Sequence, residues 1–242
     1  MMIAMISDIH GNLEALQAVL MDIEKYKVDA VCCLGDVIGY GCDPVPCLEL
    51  VDKTCLIKLV GNHEYSSMGL LPMDNLNQTA RTSANWTTDQ LDDRAFGIIN
   101  RFTVDASLDS SYLVHASSYE PTKWHYILTN HEADQSFKSL KAKHCFHGHT
   151  HLPMIYAESP KGEHRRQVGH DFQPDEDTRY LINIGSVGQP RDNDPRACYI
   201  TYDSAQAEVA YHRVEYDIQR TQSKMRQADL PTPLIERLAA GR

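Results

Sequence analysis

"MMIAMISDIHGNLEALQAVLMDIEKY" (residues 1–26) is the stretch that decides the fold. Its first six residues form an apolar run that reads as a short buried strand, broken at Asp8 and Gly11. From Asn12 onward apolar residues recur at Leu13, Leu16, Val19, Leu20 and Ile23, which is a helical period with Asn12 placed as its N-cap. The pattern then repeats. "VDAVCCLG" (28–35) is a second strand, "PVPCLELVDK" (44–53) a short helix opened by prolines, and "CLIKLVG" (55–61) a third strand. Strand, helix, strand, helix, strand in that order calls for parallel strands joined by right-handed crossovers.

Further along, residues 66–110 read as a helical insert, clearest at "TARTSANWTTDQLDDRAF". "SSYLVHAS" (110–117) is a strand, "HEADQSFKSLKA" (131–142) a helix and "HCFHG" (144–148) another strand. After residue 151 short alternating segments such as "ACYITYD" and "AEVAYHRVEY" suggest antiparallel sheet, and the tail from 216 reads as helical. No linker or repeat divides the chain, so residues 1–242 are expected to be a single domain. A net charge of −10 argues against duplex nucleic acid as a partner. No apolar run approaches the ~20 residues that span a bilayer. The first residues lack the basic start of a signal peptide, which points to the cytoplasm. Seven cysteines without a Cys-x-x-Cys pair are expected to be reduced thiols, with Cys32 and Cys33 facing opposite sides of their strand.

Polar residues gather where strands end. "SDIHG" (7–11), "LGDVIGYG" (34–41), "VGNHEY" (60–65), "LVHAS" (113–117) and "GHTH" (148–151) place Asp8, Asp36, Asn62 and His115 at or beyond strand C-termini. In open α/β sheets that edge is where ligands bind. Taken singly, an Asp after a strand is a common cap or turn residue, and a lone strand histidine is commonly a packing residue. Together the five supply carboxylate, amide and imidazole donors, a set suited to manganese, iron, zinc or cobalt. Asp8 and His10 are two apart, as are His149 and His151, so on extended backbone each pair projects one way.

In this order the five stretches resemble the signature of the calcineurin-like metallophosphoesterases. "QTARTSANWTTDQL" (78–91) and "NIGSVGQPRD" (183–192) are similar to segments of a compact bacterial and archaeal branch with small phosphodiesterases and diadenosine-tetraphosphatase-like proteins. The likeness covers roughly residues 2–215. It implies an α/β fold of two packed mixed β-sheets flanked by helices, a four-layer αββα sandwich. It also implies two divalent transition-metal ions, manganese first, with iron, zinc, nickel or cobalt as alternatives. Asp8, His10, Asp36 and His151 would hold the first ion; Asp36, Asn62, His115 and His149 would hold the second.

The expected reaction is hydrolysis of a small phosphate ester, phosphodiester or dinucleoside polyphosphate by direct attack of a metal-bridging hydroxide. His63, left unligated, is the candidate general acid, with Glu64 or Asp36 as the carboxylate that supports it. Arg191 is a candidate phosphate clamp. Tyr119, Trp124 and His125 in "SSYEPTKWHYIL" (117–128) are candidate substrate contacts, and His144 and His147 are assigned to the strand. Competing readings are a protein phosphatase or nuclease on the same centre, or a non-catalytic metal-binding module. The acidic balance disfavours a nuclease, and the complete ligand set disfavours a non-catalytic role.

Overall fold

The computed structural model describes residues 1–72 and 77–242. Met2–Ile6 forms β1, and Asn12 caps α1 (Leu13–Ile23) by accepting the Ala15 N–H at 3.1 Å. Ala30–Cys33 (β2), Pro44–Thr54 (α2) and Ile57–Lys58 (β3) complete the first run, with β1, β2 and β3 paired in parallel. Neighbouring residues on a strand face opposite sides. Ala4, Ile6 and Cys33 accordingly pack with α1 and α2, while Ile3, Met5 and Cys32 face a second sheet.

α3 (Asn62–Ser67), α4 (Gln78–Gln90) and α5 (Asp93–Ile99) fill most of the segment expected to be helical, of which 73–76 lies outside the described residues. Its last stretch differs. Asp105–Leu108 is a strand, β4, paired antiparallel with β5 (Ser111–Val114) at the edge of the second sheet. Pairing with a neighbour decides strand formation more than local preference does, and this short polar segment has no period of its own.

Thr129 and Glu132 form a capping box on α6 (Asn130–Ser139), which covers the outer face of the second sheet through Ala133 and Phe137. β6 (His144–His147), β7 (Met154–Glu158), β8 (His164–Val168) and β9 (Arg179–Asn183) complete that sheet in the order β4-β5-β6-β9-β7-β8. β10 (Ala197–Asp203) and β11 (Glu208–Val214) are antiparallel as expected but return to the first sheet, ordered β11-β10-β1-β2-β3. The alternating segments after residue 151 are thus divided between both sheets, and β9 runs parallel to β6. α7 (Ile218–Gln227) and α8 (Thr232–Ala240) follow.

The result is the expected αββα sandwich. Ile3, Met5, Leu113, Phe146, Ile182 and Ile200 fill the space between the sheets; burying one such side chain contributes about 1.5–3 kcal/mol. All seven cysteines are free thiols, six of them buried. Among the described residues no helix is long and apolar enough to cross a membrane.

Candidate metal centre

Asp8 and His10 follow β1, Asp36 follows β2, and Asn62 and His63 open α3 directly after β3. From the other sheet, His115 follows β5 and His149 and His151 follow β6. Short loops aim these side chains into one crevice only by adopting unusual backbone. Asp8, His10, Asp36, Tyr40, His149 and His151 are all left-handed, with φ from 50° to 68°. Each such residue costs about 1–3 kcal/mol unless its surroundings hold it. Here Asp8 N–H donates to the Gly35 carbonyl at 3.0 Å, His10 N–H to Asp36 at 3.0 Å and Gly11 N–H to Val37 at 2.8 Å. Close approach does the rest: a Cβ on Gly148 would strike Ser7 Oγ and Asp8 Oδ2, and one on Gly61 would strike Asp36 Oδ1.

Among the described residues three candidate ligand groups form. Asp8, His10 and His151 bring their ligand atoms within 4.8 Å of one another, as do Asp36, His115 and His149, and a third triple links His10, Asp36 and His63. His151 Nε2 lies 3.3 Å from Asp8 Oδ1, and His115 Nε2 lies 3.2 Å from Asp36 Oδ2. The outer nitrogens are all engaged with backbone carbonyls. His10 Nδ1 lies 3.1 Å from Ile38 O, His115 Nδ1 2.8 Å from Leu34 O, and His151 Nδ1 2.6 Å from Gln189 O. His149 is reversed, with Nε2 3.0 Å from Trp124 O. An imidazole that donates outward presents its other nitrogen as a lone pair inward.

Burial works on every charge here. It would raise the Asp8 carboxyl, yet His151 and His115 hold it well below the usual carboxylate range. Asp36 is likewise held low against burial by His115 and His63. Burial pushes His10 well below its ordinary value and His149 down to about 3, so both rings are neutral and free to ligate. His115 is the exception: burial lowers it, but Asp36 raises it to about 9. Among the described residues Asn62 Oδ1 is buried without a hydrogen-bond partner, and His115 Nε2 lies 3.2 Å from Asp36 Oδ2. Buried acceptors left unpaired are costly. A divalent cation shared with Asp36 would pair Asn62 Oδ1 and replace the proton on His115 Nε2, so the donor set fits transition-metal ions.

The remaining expected residues divide. Glu64 does not face His63; its carboxylate accepts the N–H groups of Asp36 (3.0 Å), Val37 (2.8 Å), Ile38 (3.2 Å) and Gly61 (2.7 Å). Asp36 Oδ2 is the carboxylate near His63 Nε2, at 4.0 Å. His147 is buried beside Asn183, and His144 meets the Tyr202 hydroxyl at 3.3 Å, both in strand positions as expected. Trp124 packs its ring between Tyr65 and His115 and serves the crevice through its carbonyl. Tyr119 and His125 stack on each other at 5.3 Å, with His125 turned to Glu120. Tyr126, which follows them, stacks on His149 at 4.1 Å. Tyr40 packs against both His10 (4.6 Å) and His63 (4.5 Å), and Arg191 stands over its ring at 5.8 Å. Nothing in the sequence marked Tyr40 except the glycines that flank it.

A family model described as the calcineurin-like phosphoesterase superfamily domain matches residues 1–206. The chain is 35% identical over 246 positions to an uncharacterized protein of Methanocaldococcus jannaschii, covering all of this chain and 98% of that one. It is similar to the crystal structure of a metallophosphoesterase from Sphaerobacter thermophilus, with 39% identity and a TM-score of 0.89 over all of this chain and 99% of that one. A hypothetical protein from Pyrococcus horikoshii shares the fold at 16% identity and a TM-score of 0.80, over all of this chain and 98% of that one.

Proposed function

This chain belongs to the calcineurin-like phosphoesterase superfamily and is a phosphoester hydrolase; from that premise we propose that it hydrolyses a small phosphate ester, phosphodiester or dinucleoside polyphosphate using two divalent cations. Asp8, His10, Asp36 and His151 would hold the first cation, and Asp36, Asn62, His115 and His149 the second. Asp36 Oδ1 accepts the His63 backbone N–H at 2.9 Å, and Oδ2 lies 3.2 Å from His115 Nε2 and 3.8 Å from His10 Nε2, one residue of each proposed set. When bound, the cations supply the charge that acidifies water and offsets the charge gathering on the phosphoryl oxygens. Nitrogen and oxygen donors without a thiolate favour manganese, with iron, zinc, nickel and cobalt as alternatives.

The other residues bind and move protons. His63 holds a proton at Nε2 for the leaving oxygen; burial lowers its pKa and Asp36 pulls it part of the way back. Arg191 offers guanidinium donors to phosphate oxygens. Tyr126, nearly half exposed above His149, gives a flat apolar face for a base or phenyl group. The free thiols support a reducing, cytoplasmic location.

One observation carries this reading: four imidazoles, each anchored outward on a carbonyl, gather around two buried carboxylates. Hydrolysis of bis-p-nitrophenyl phosphate, p-nitrophenyl phosphate and diadenosine tetraphosphate with manganese, with and without chelator, tests it. Turnover of at least one substrate that chelation abolishes is expected. Turnover that survives chelation would overturn the metal-dependent reading.

A further inference from the structure

α7 and α8 lie after the residues that the family model matches, and Met225, Leu234 and Leu238 pack them against Tyr40. That packing brings Arg237 to the crevice. Its Nη1 donates to Gln189 Oε1 at 3.2 Å, where Arg191 donates through Nη2 at 2.8 Å and Nε at 3.3 Å. Gln189 is buried, and its carbonyl is the one that accepts His151 Nδ1. Arg191 N–H in turn donates to the His151 carbonyl at 3.2 Å. Two guanidiniums therefore share one neutral oxygen immediately behind a candidate metal ligand.

Elsewhere in the chain partly buried arginines meet acids: Arg179 pairs with Glu158 and Arg213 with Asp192. Among the described residues neither Arg191 nor Arg237 has a carboxylate within ion-pair distance, and Arg237 Nε is buried without a hydrogen-bond partner. An amide at 189 orients the pair but leaves both charges uncompensated. Like charges held side by side with an unused donor are arranged for an anion, and the guanidinium fork matches phosphate oxygens. Two dications less the charges of Asp8 and Asp36 leave +2, enough for one scissile phosphoryl group, so the added pair calls for further negative charge.

We propose that Arg191 and Arg237 form a subsite for a second phosphate next to the one being hydrolysed, so that the substrate is an ester of a polyphosphate chain. This rests on the phosphoesterase reading above and narrows it. The substrate class is then nucleoside or dinucleoside polyphosphates rather than single-phosphate diesters.

Titration of the metal-free protein with inorganic pyrophosphate tests the subsite without turnover. Affinity falls about tenfold or more in Arg237→Gln, and also in Gln189→Glu, where the new carboxylate supplies the missing counter-charge. Glu236→Gln, an exposed neighbour on α8, leaves it unchanged. Wild-type affinity in both Arg237→Gln and Gln189→Glu overturns the proposal. With manganese present, the kcat/KM ratio of diadenosine tetraphosphate to bis-p-nitrophenyl phosphate also falls about tenfold in Arg237→Gln. Equal loss on both substrates overturns it, because a merely structural arginine would act that way. If the wild type turns over neither of these nor p-nitrophenyl phosphate, the proposed two-cation reading fails and the pyrophosphate titration decides the subsite alone.

Discussion

His63 differs from its neighbouring imidazoles in being open to solvent. Its side chain is 13% exposed, against 2% or less for His10, His115 and His151. A ring at the mouth is placed to meet a leaving group, whereas the buried rings are enclosed by one another, the two carboxylates and the flanking aromatics. His63→Ala is therefore expected to lower kcat/KM for an alkyl phosphodiester by roughly 10²–10⁴-fold, with a smaller loss on a p-nitrophenyl ester whose leaving group needs no proton. Metal content by elemental analysis stays at the wild-type value. Equal losses on both esters, or loss of metal, would instead make His63 a ligand of the triple it shares with His10 and Asp36. That these side chains would gather at one place was legible because each stands in a short signature at a strand end. The task of Glu64 was not, since the N–H groups it accepts come mostly from a loop 26 to 28 residues away.

α3 is short, and Glu64 is what ties its start to the loop after β2. One carboxylate fixes Asp36, Val37, Ile38 and Gly61, and thereby the backbone that presents both Asp36 and Asn62. Glu64→Gln keeps the shape but turns a donor toward donors. Leaving one or two buried N–H groups unpaired costs about 2–4 kcal/mol, read as a lower denaturation midpoint together with reduced metal content. β6 offers a test of a different kind. Burial, then the Lys143 charge, lowers the His144 pKa, so folding favours the neutral ring. In the unfolded chain it protonates near pH 6.5. Its contribution is complete above that pH and is lost as pH falls toward the lowered folded value. His144→Phe, placed among Phe146, Tyr180 and Tyr202, should shrink the drop in denaturant midpoint between about pH 7.5 and 5.5. An unchanged drop would mean that other groups carry the acid sensitivity.

At the scale of the whole molecule, local pattern gave the first parallel run because apolar strands and periodic helices alternate there without ambiguity. It could not tell that β10 and β11 return to the first sheet, since alternation specifies a face but not a partner strand. Nor could it place Arg237, a lone arginine on an amphipathic helix whose role arises only when α8 docks on Tyr40. That convergence has an energetic consequence. Asp8, His10, Asp36 and Asn62 come from one sheet and His115, His149 and His151 from the other, so a cation bound among them joins the two layers. Binding that occurs only in the folded state stabilises it, by about 2.7 kcal/mol at one hundred times Kd. For a chain of this length that raises the melting temperature by roughly 5–10 °C. Because the joined elements belong to both sheets, backbone circular dichroism and the fluorescence of Trp86 and Trp124 should shift together on adding manganese. Asp36→Asn removes the charge common to both ligand sets and should abolish most of that shift. Were only one probe to move, or the variant to respond like the wild type, the two sheets would not be held by a shared centre.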